Sequence, residues 1–352
     1  MSEVSPVVAV TFAANQATVG GGEVMLLRTA KAALTAGYDV SVVGPAAPGG
    51  VVEQAAVLGA NPVALKVTGR GDYARALRAW DARHRADLLW CHGLLPALAT
   101  VGRSHRVVHV HQHPQSKFQT ASLLAARQRA DVLVNSHFVA TTVPNSRVLW
   151  NWTDTPRPRD HNPGDIAVVG FLGRLSSDKG VVDLCEAVAV LLSRDVRVRL
   201  LIAGESRFVA PADASRVQTA LSALGDHVEH VGWIARDDFF DAVDIAVFPS
   251  RWQEPFGLVV AEAMAANVPV VVSDAGGISE VVGVGFSYMS RAGDVQSLTE
   301  TLSRALQELP TPAMTFTVKS SHDRWLANFS PEQGEARFLA ELERATGNGV
   351  YQ

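Results

Sequence analysis

The sequence predicts an α/β protein built from two doubly wound parallel-sheet domains. Three observations carry that prediction. Short β-branched runs alternate with amphipathic segments along the whole chain, which is the pattern of strand–helix–strand units on a parallel sheet. The alternation breaks once, at residues 152–164, WTDTPRPRDHNPG, where three prolines, a glycine and several charges mark a linker. The length of 352 residues suits two cores better than one.

The elements follow in order. In the first half the strand-like runs are VVAVTF (7–12), DVSVV (39–43), PVALKV (62–67), ADLLWCH (86–92), RVVHVHQ (106–112), DVLVNS (131–136) and RVLWN (147–151). Between the first two, residues 22–36 place Leu26, Leu27, Ala30, Ala33 and Leu34 on one helix face, and Gly37 is a natural stop. After the linker the runs are IAVVGFLG (166–173), VRLLIAG (198–204), HVEHVG (227–232), IAVFPS (245–250), PVVVSD (269–274) and FSYM (286–289). Residues 331–345, PEQGEARFLAELERA, read as a final helix. The expected division is residues 1–155, residues 156–318 and a C-terminal segment, 319–352, packing back towards the first domain.

Composition sets bounds. Apolar content is 47% and the formal net charge −4, ordinary for a globular protein. No apolar run of 18 residues lacks a charge, so no transmembrane helix is expected, and the first residues, MSEVSPVVAVTFAANQ, do not read as a signal peptide. Cys91 and Cys185 sit in apolar segments, as buried thiols of a reducing cytosol do. Charge is uneven. Residues 1–160 hold 16 Lys/Arg against 10 Asp/Glu, and residues 161–352 hold 15 against 25. The stretch 69–87 alone carries Arg70, Arg75, Arg78, Arg83 and Arg85. Two readings stand: a solvated face, or a surface that meets an anionic acceptor or membrane.

In a parallel sheet, ligands gather at the carboxyl ends of strands, in the loops entering helices. Four such loops lie in the second half. Residues 173–180, GRLSSDKG, offer Arg174 and Lys179 before a helix, a setting for a diphosphate. One strand ends in Gly204. Another ends in Gly232-Trp233-Ile234, where Trp233 is a planar ring. The fourth, EPFGLVVAE, places Glu254 before a helix and Glu262 within it, with first-turn N–H groups between them.

That segment resembles the donor-binding signature of family 4 of the retaining GT-B glycosyltransferases, E-P-F-G-L-x-x-x-E-A-M-A. Glu254, Pro255, Phe256, Gly257, Leu258, Glu262, Ala263, Met264 and Ala265 all match. GRLSSDKG is similar to the family's G-R-L-x-x-x-K-G, and AGGISEVV (275–282) to its G-G-x-x-E-V-V. Gly20-Gly21-Gly22-Glu23 resembles its glycine loop. VLWNWTDT (148–155) resembles its hinge entry, with Trp152 where glycine is usual. Asn267 also replaces a usual glycine, at a position where Asn tolerates the left-handed conformation of a helix cap.

The resemblance implies a GT-B fold with an interdomain cleft and hexosyl transfer from a UDP- or GDP-sugar to an acceptor hydroxyl, with retention. It implies that Glu262 accepts from the ribose hydroxyls, Glu254 contacts the donor sugar, and Arg174 and Lys179 neutralise the diphosphate. Gly21, Gly22, Gly173, Gly204, Trp233, Ile234, Phe256, Gly257 and Leu258 would line the donor. The donor is a co-substrate. No cofactor and no metal are implied, and no D-x-D triplet accompanies the donor loops. The acceptor would be a sugar, a lipid-linked or a small molecule, an anionic one fitting the basic half. Nucleic acid is not an expected partner. A cytoplasmic protein with peripheral membrane contact is the expected setting.

RVVHVHQHP carries His109, His111 and His113, which would share one strand face at this spacing. The readings are a metal site, disfavoured because neither Cys nor carboxylate stands nearby, and sheet packing or surface. The resemblance places a His at the end of this strand near the acceptor. His111 is the best match and His113 its rival, with His92 structural or pocket-lining. The alternatives to a transferase are a GT-B sugar-nucleotide epimerase and a non-catalytic partner subunit.

Overall fold

The computed structural model describes residues 7–207 and 209–347. Residues 1–6 of the amino-terminal stretch lie outside the described residues. The chain divides into two units, one of residues up to Asn151 together with those from Glu332 onward, the other Trp152–Pro331.

The first unit holds β1 (Ala9–Ala13), β2 (Asp39–Pro45), β3 (Asn61–Leu65), β4 (Leu88–His92), β5 (Arg106–Val110), β6 (Asp131–Val134) and β7 (Arg147–Val148). All pairings are parallel and the order is β3-β2-β1-β4-β5-β6-β7. The chain winds outwards from β1 in one direction, returns, and winds the other way from β4. Val42, Leu89, Val108 and Leu133 are fully buried, as strands covered by helices on both faces must be. The C-terminal helix Pro331–Thr346 belongs to this unit. Its Phe338 is fully buried, with ring centroids 5.1 Å from Trp90 and 6.2 Å from Phe12. Burial of one such ring contributes about 1.5–3 kcal/mol.

The second unit holds β8 (Ala167–Leu172), β9 (Val198–Ala203), β10 (Val228–Gly232), β11 (Ile245–Phe248), β12 (Val270–Ser273) and β13 (Met289–Ser290). Its parallel order is β10-β9-β8-β11-β12-β13. Val169, Ile202, Val247 and Val271 form the middle of its core with Leu184 and Val188 of the helix Val181–Ser193.

The C-terminal segment does not act as one block from residue 319. The helix Pro312–Asn328 stays with the second unit and only the following helix joins the first. The reason is local. Trp325 is buried and donates from Nε1 to Thr153 Oγ1 at 2.7 Å, the Phe329 carbonyl accepts from Thr153 N at 3.0 Å, and the Phe329 ring packs edge-on against Phe256. The same contacts place the change of unit at Asn151/Trp152 rather than after residue 155. Trp152 itself is buried. Asn267 ends the helix Leu258–Ala265 at φ 57°, the left-handed value read for it. Cys91 and Cys185 are buried and free.

Candidate active site

Each sheet reverses its winding at one place, between β1 and β4 in the first unit and between β8 and β11 in the second. Loops at the carboxyl ends of strands beside such a reversal diverge to opposite faces and leave a crevice between them. The candidate residues fall on these loops.

In the second unit, Gly173 and Arg174 follow β8, Gly204 follows β9, Trp233 and Ile234 follow β10, and Glu254 lies in the loop after β11. Gly204 has φ 134°, and a Cβ there would overlap the carbonyl oxygen of Gly173. The two glycines therefore let adjacent strand ends touch, backbone to backbone, where any side chain would fill the space. The next loop is tied on by Arg251 N and Trp252 N, which donate to the Asp178 carbonyl at 2.9 and 3.0 Å. Gly277 N donates to the Glu254 carbonyl at 2.7 Å. Gly257 caps the helix Leu258–Ala265 at φ 98°, a conformation open to glycine and strained for other residues.

This backbone brings the charged residues together. Lys179 Nζ forms an ion pair with Glu254 Oε1, which also accepts from Ser250 Oγ at 2.7 Å. Arg174 pairs with Asp178 at 2.6 Å. Glu262, partly buried on the helix, lies 3.6 Å from an Arg236 nitrogen. Trp233 is 77% exposed, a large apolar ring left in water at the end of β10. Ile234, Gly257 and Leu258 are partly exposed. The Phe256 ring is 2% exposed and packs on Phe329, which leaves its backbone N–H, the group expected to face a ligand, as the part that can meet one. Sequence reasoning passed over Ser250, Asp178 and Arg236. Asp178 was legible as the residue four beyond Arg174, but nothing in the local sequence joins Arg236 to Glu262.

In the first unit, Gly21 and Gly22 open the helix Gly21–Thr35 after β1. The Glu23 carboxylate reaches back to accept from Gly20 N at 3.2 Å and from Gln16 Nε2 at 3.1 Å. Burial pushes the Glu23 pKa up. A Cβ on Gly22 would stand 3.5 Å from the His111 ring, so the glycine loop and His111 are neighbours.

The histidine face differs from the expectation. β5 stops at Val110. His111 and His113 therefore lie in the loop. His113 turns to Phe138, with ring centroids 5.7 Å apart. His111 instead meets His92 of β4, Nε2 to Nδ1, at 2.9 Å, and its ring lies against that of His109, tilted by 44° with centroids 4.1 Å apart. Ligand atoms of His92, His109 and His111 lie within 4.8 Å of one another. Burial holds all three rings towards the neutral form. The His111 pKa is pushed down to about 4, and those of His92 and His109 fall well below the ordinary range, with their histidine neighbours adding to the effect. Burial also lowers the His113 pKa.

Comparison with known proteins agrees with this architecture. Residues 166–308 match the family model described as "Glycosyl transferases group 1". The chain is 30% identical over 185 residues to a 2-deoxystreptamine glucosyltransferase of Streptomyces kanamyceticus, covering 51% of this chain and 46% of that protein. It is 27% identical over 289 residues to a lipopolysaccharide core biosynthesis mannosyltransferase of Rhizobium meliloti, covering 76% and 79%. The chain spans less than half the length of several curated relatives it matches. Among solved structures, Anabaena HepE in complex with UDP-glucose superposes with a TM-score of 0.79 at 20% identity, covering 96% of this chain and 99% of that one. The fold is GT-B, and residues 166–308 of this chain are a group 1 glycosyltransferase domain.

Proposed function

We propose that the protein is a retaining hexosyltransferase that uses a nucleoside diphosphate sugar, UDP- or GDP-linked. The observation that carries the reading is the meeting of Lys179 and Glu254. It joins the phosphate-binding loop after β8 to the Glu254-x7-Glu262 segment after β11, at the reversal point of the second sheet. A cation and a carboxylate side by side can hold a phosphate oxygen and a sugar hydroxyl in adjacent positions.

In this reading the acceptor oxygen bonds to the anomeric carbon while the bond from that carbon to the diphosphate breaks. The acceptor proton passes to the leaving phosphate. Negative charge grows on the diphosphate, where Arg174 and Lys179 offset it, so no divalent ion is required. Glu262 takes the ribose hydroxyls, Glu254 the sugar, and the exposed Trp233 offers a stacking face for the base. His111 positions a substrate hydroxyl without acting as the main base. The names of the relatives, which include glucosyl and mannosyl transferases, support a hexose donor. Arg70, Arg83 and Arg85 are exposed and support an anionic acceptor or surface, whereas Arg75 pairs with Asp72 and Arg78 donates to the Ala99 and Val101 carbonyls.

The test is a panel of UDP- and GDP-hexoses with sugar and lipid-linked acceptors, in excess chelator, with products read by mass spectrometry and NMR. The expected product is a retained glycoside of one acceptor. Epimerised donor formed without an acceptor would make the protein an epimerase. Failure to bind any nucleotide sugar would make it a non-catalytic subunit. Activity lost to chelator and restored by a divalent ion would overturn the metal-free reading.

A further inference from the structure

Hydrogen bonding within the first unit settles which nitrogen of His92 and of His111 carries the proton. Thr29 lies on the helix Gly21–Thr35 and is fully buried. Its hydroxyl donates to the Leu26 carbonyl at 2.8 Å. A hydroxyl has one proton, so towards His92 Nε2, 3.3 Å away, the Thr29 oxygen can only accept. His92 Nε2 therefore carries the hydrogen. His92 is neutral in this buried site, so its Nδ1 is a bare acceptor. His111 Nε2, 2.9 Å from that Nδ1, must be the donor. The remaining nitrogen, His111 Nδ1, then has no proton. It is buried and has no hydrogen-bond partner among the described residues.

We propose that Thr29 and His92 are positioning residues which lock His111 in the Nε2–H tautomer, so that its Nδ1 accepts a hydrogen bond from a substrate hydroxyl. The proposal rests on the assignment of His111 given above and adds the direction of its hydrogen bond and the residues that set it. An unsatisfied buried acceptor is costly, and a substrate hydroxyl reaching it would relieve that cost. A ring fixed on one side by a chain of donors needs no reorganisation when the hydroxyl arrives.

The same three histidines could be read as a chelating cluster. The geometry favours the hydrogen-bonded chain. The His92 and His111 rings are 5.1 Å apart between centroids with planes 8° from parallel and nitrogens 2.9 Å apart, so they meet head-on, each aimed at the other rather than at a shared third point. Neither a carboxylate nor a thiolate belongs to the cluster to offset the charge of an ion.

The experiment is imidazole ¹⁵N NMR on the full-length protein at neutral pH, with Thr29→Val, Thr29→Ser and His111→Ala beside the wild type. In the wild type, His111 should show a protonated Nε2 and a bare Nδ1. Thr29→Val removes the acceptor for His92 Nε2–H. His92 can then take the other tautomer and donate to His111, moving the His111 proton to Nδ1. The kcat should fall about tenfold with nucleotide affinity unchanged, and Thr29→Ser should restore both the spectrum and the rate. A wild-type His111 protonated at Nδ1 would overturn the assignment, as would full activity in Thr29→Val or a stoichiometric metal ion in the purified protein. An active His111→Ala would instead count against the role of His111 itself, whatever the tautomers.

Discussion

Glu254 accepts from Lys179 and Ser250 through one oxygen, Oε1. In the proposed reading its other oxygen accepts from a sugar hydroxyl, whereas Glu262, on the helix and beside Arg236, takes the nucleotide ribose. The two carboxylates should therefore separate in calorimetry. Glu262→Ala should weaken binding of the bare nucleotide diphosphate by about 1.5–3 kcal/mol, the range for hydrogen bonds to a charged group. Glu254→Ala should leave nucleotide binding in place and impair use of the complete donor. Equal weakening of nucleotide by both would contradict the division. In the proposed reading Arg174 and Lys179 act on the leaving group, so each alanine variant should lose about 2–4 kcal/mol of transition-state stabilisation in kcat/KM. Near-normal turnover in both would remove the diphosphate from this loop.

Helix ends show how far local sequence reaches. The helix Leu258–Ala265 starts at Gly257 and is closed by Asn267, whose N–H donates to the Met264 carbonyl while Val268 N–H reaches the Ala263 carbonyl. Asn267→Gly should keep or slightly raise thermal stability, whereas Asn267→Ala should cost about 1 kcal/mol, because alanine pays for φ 57° with no side-chain hydrogen bond in return. Equal melting temperatures for the two variants would show that the cap does not govern this helix end. That cap was legible from one residue, as were the parallel strands, because β-branched runs bounded by turns need no tertiary information. The placing of Arg174, Lys179 and Glu254 on loops after strands was legible because each lies close in sequence to its strand. The packing of the Phe256 ring was hidden because its neighbour Phe329 is far along the chain. The joining of His92 to His111 and of Glu262 to Arg236 was hidden for the same reason: each pair is made by sheet order, which periodicity does not contain. β5 ends at Val110, and beyond it His113 turns to Phe138 while His111 stays beside His92, a parting that strand periodicity does not contain.

For the whole chain, the buried histidines make stability depend on pH. In the folded first unit, burial holds His92, His109 and His111 below the ordinary pKa of 6.5, and His111 at about 4. In the unfolded chain they take up protons near 6.5. Between those values the unfolded state binds more protons than the folded one, so stability must fall as pH falls. Above about 6.5 neither state is protonated at these sites and the effect vanishes. Each such group can contribute a slope of up to about 1.4 kcal/mol per pH unit. Carboxylates whose folded pKa is lowered, such as Asp213 and Asp237, act in the same direction but chiefly below pH 5, as their own unfolded values require. From pH 6.5 to 5 the imidazoles set the main trend, with buried Glu23, whose folded pKa is raised, acting in the opposite direction. Denaturant unfolding across that interval should show stability dropping with acid, and His109→Leu should flatten the slope by about one group's share. Both His109 nitrogens are buried without partners among the described residues, so the leucine variant should be no less stable than wild type at pH 8. An unchanged slope in His109→Leu would mean that His109 is already protonated in the fold, and that a negative charge or an acceptor near it has been overlooked.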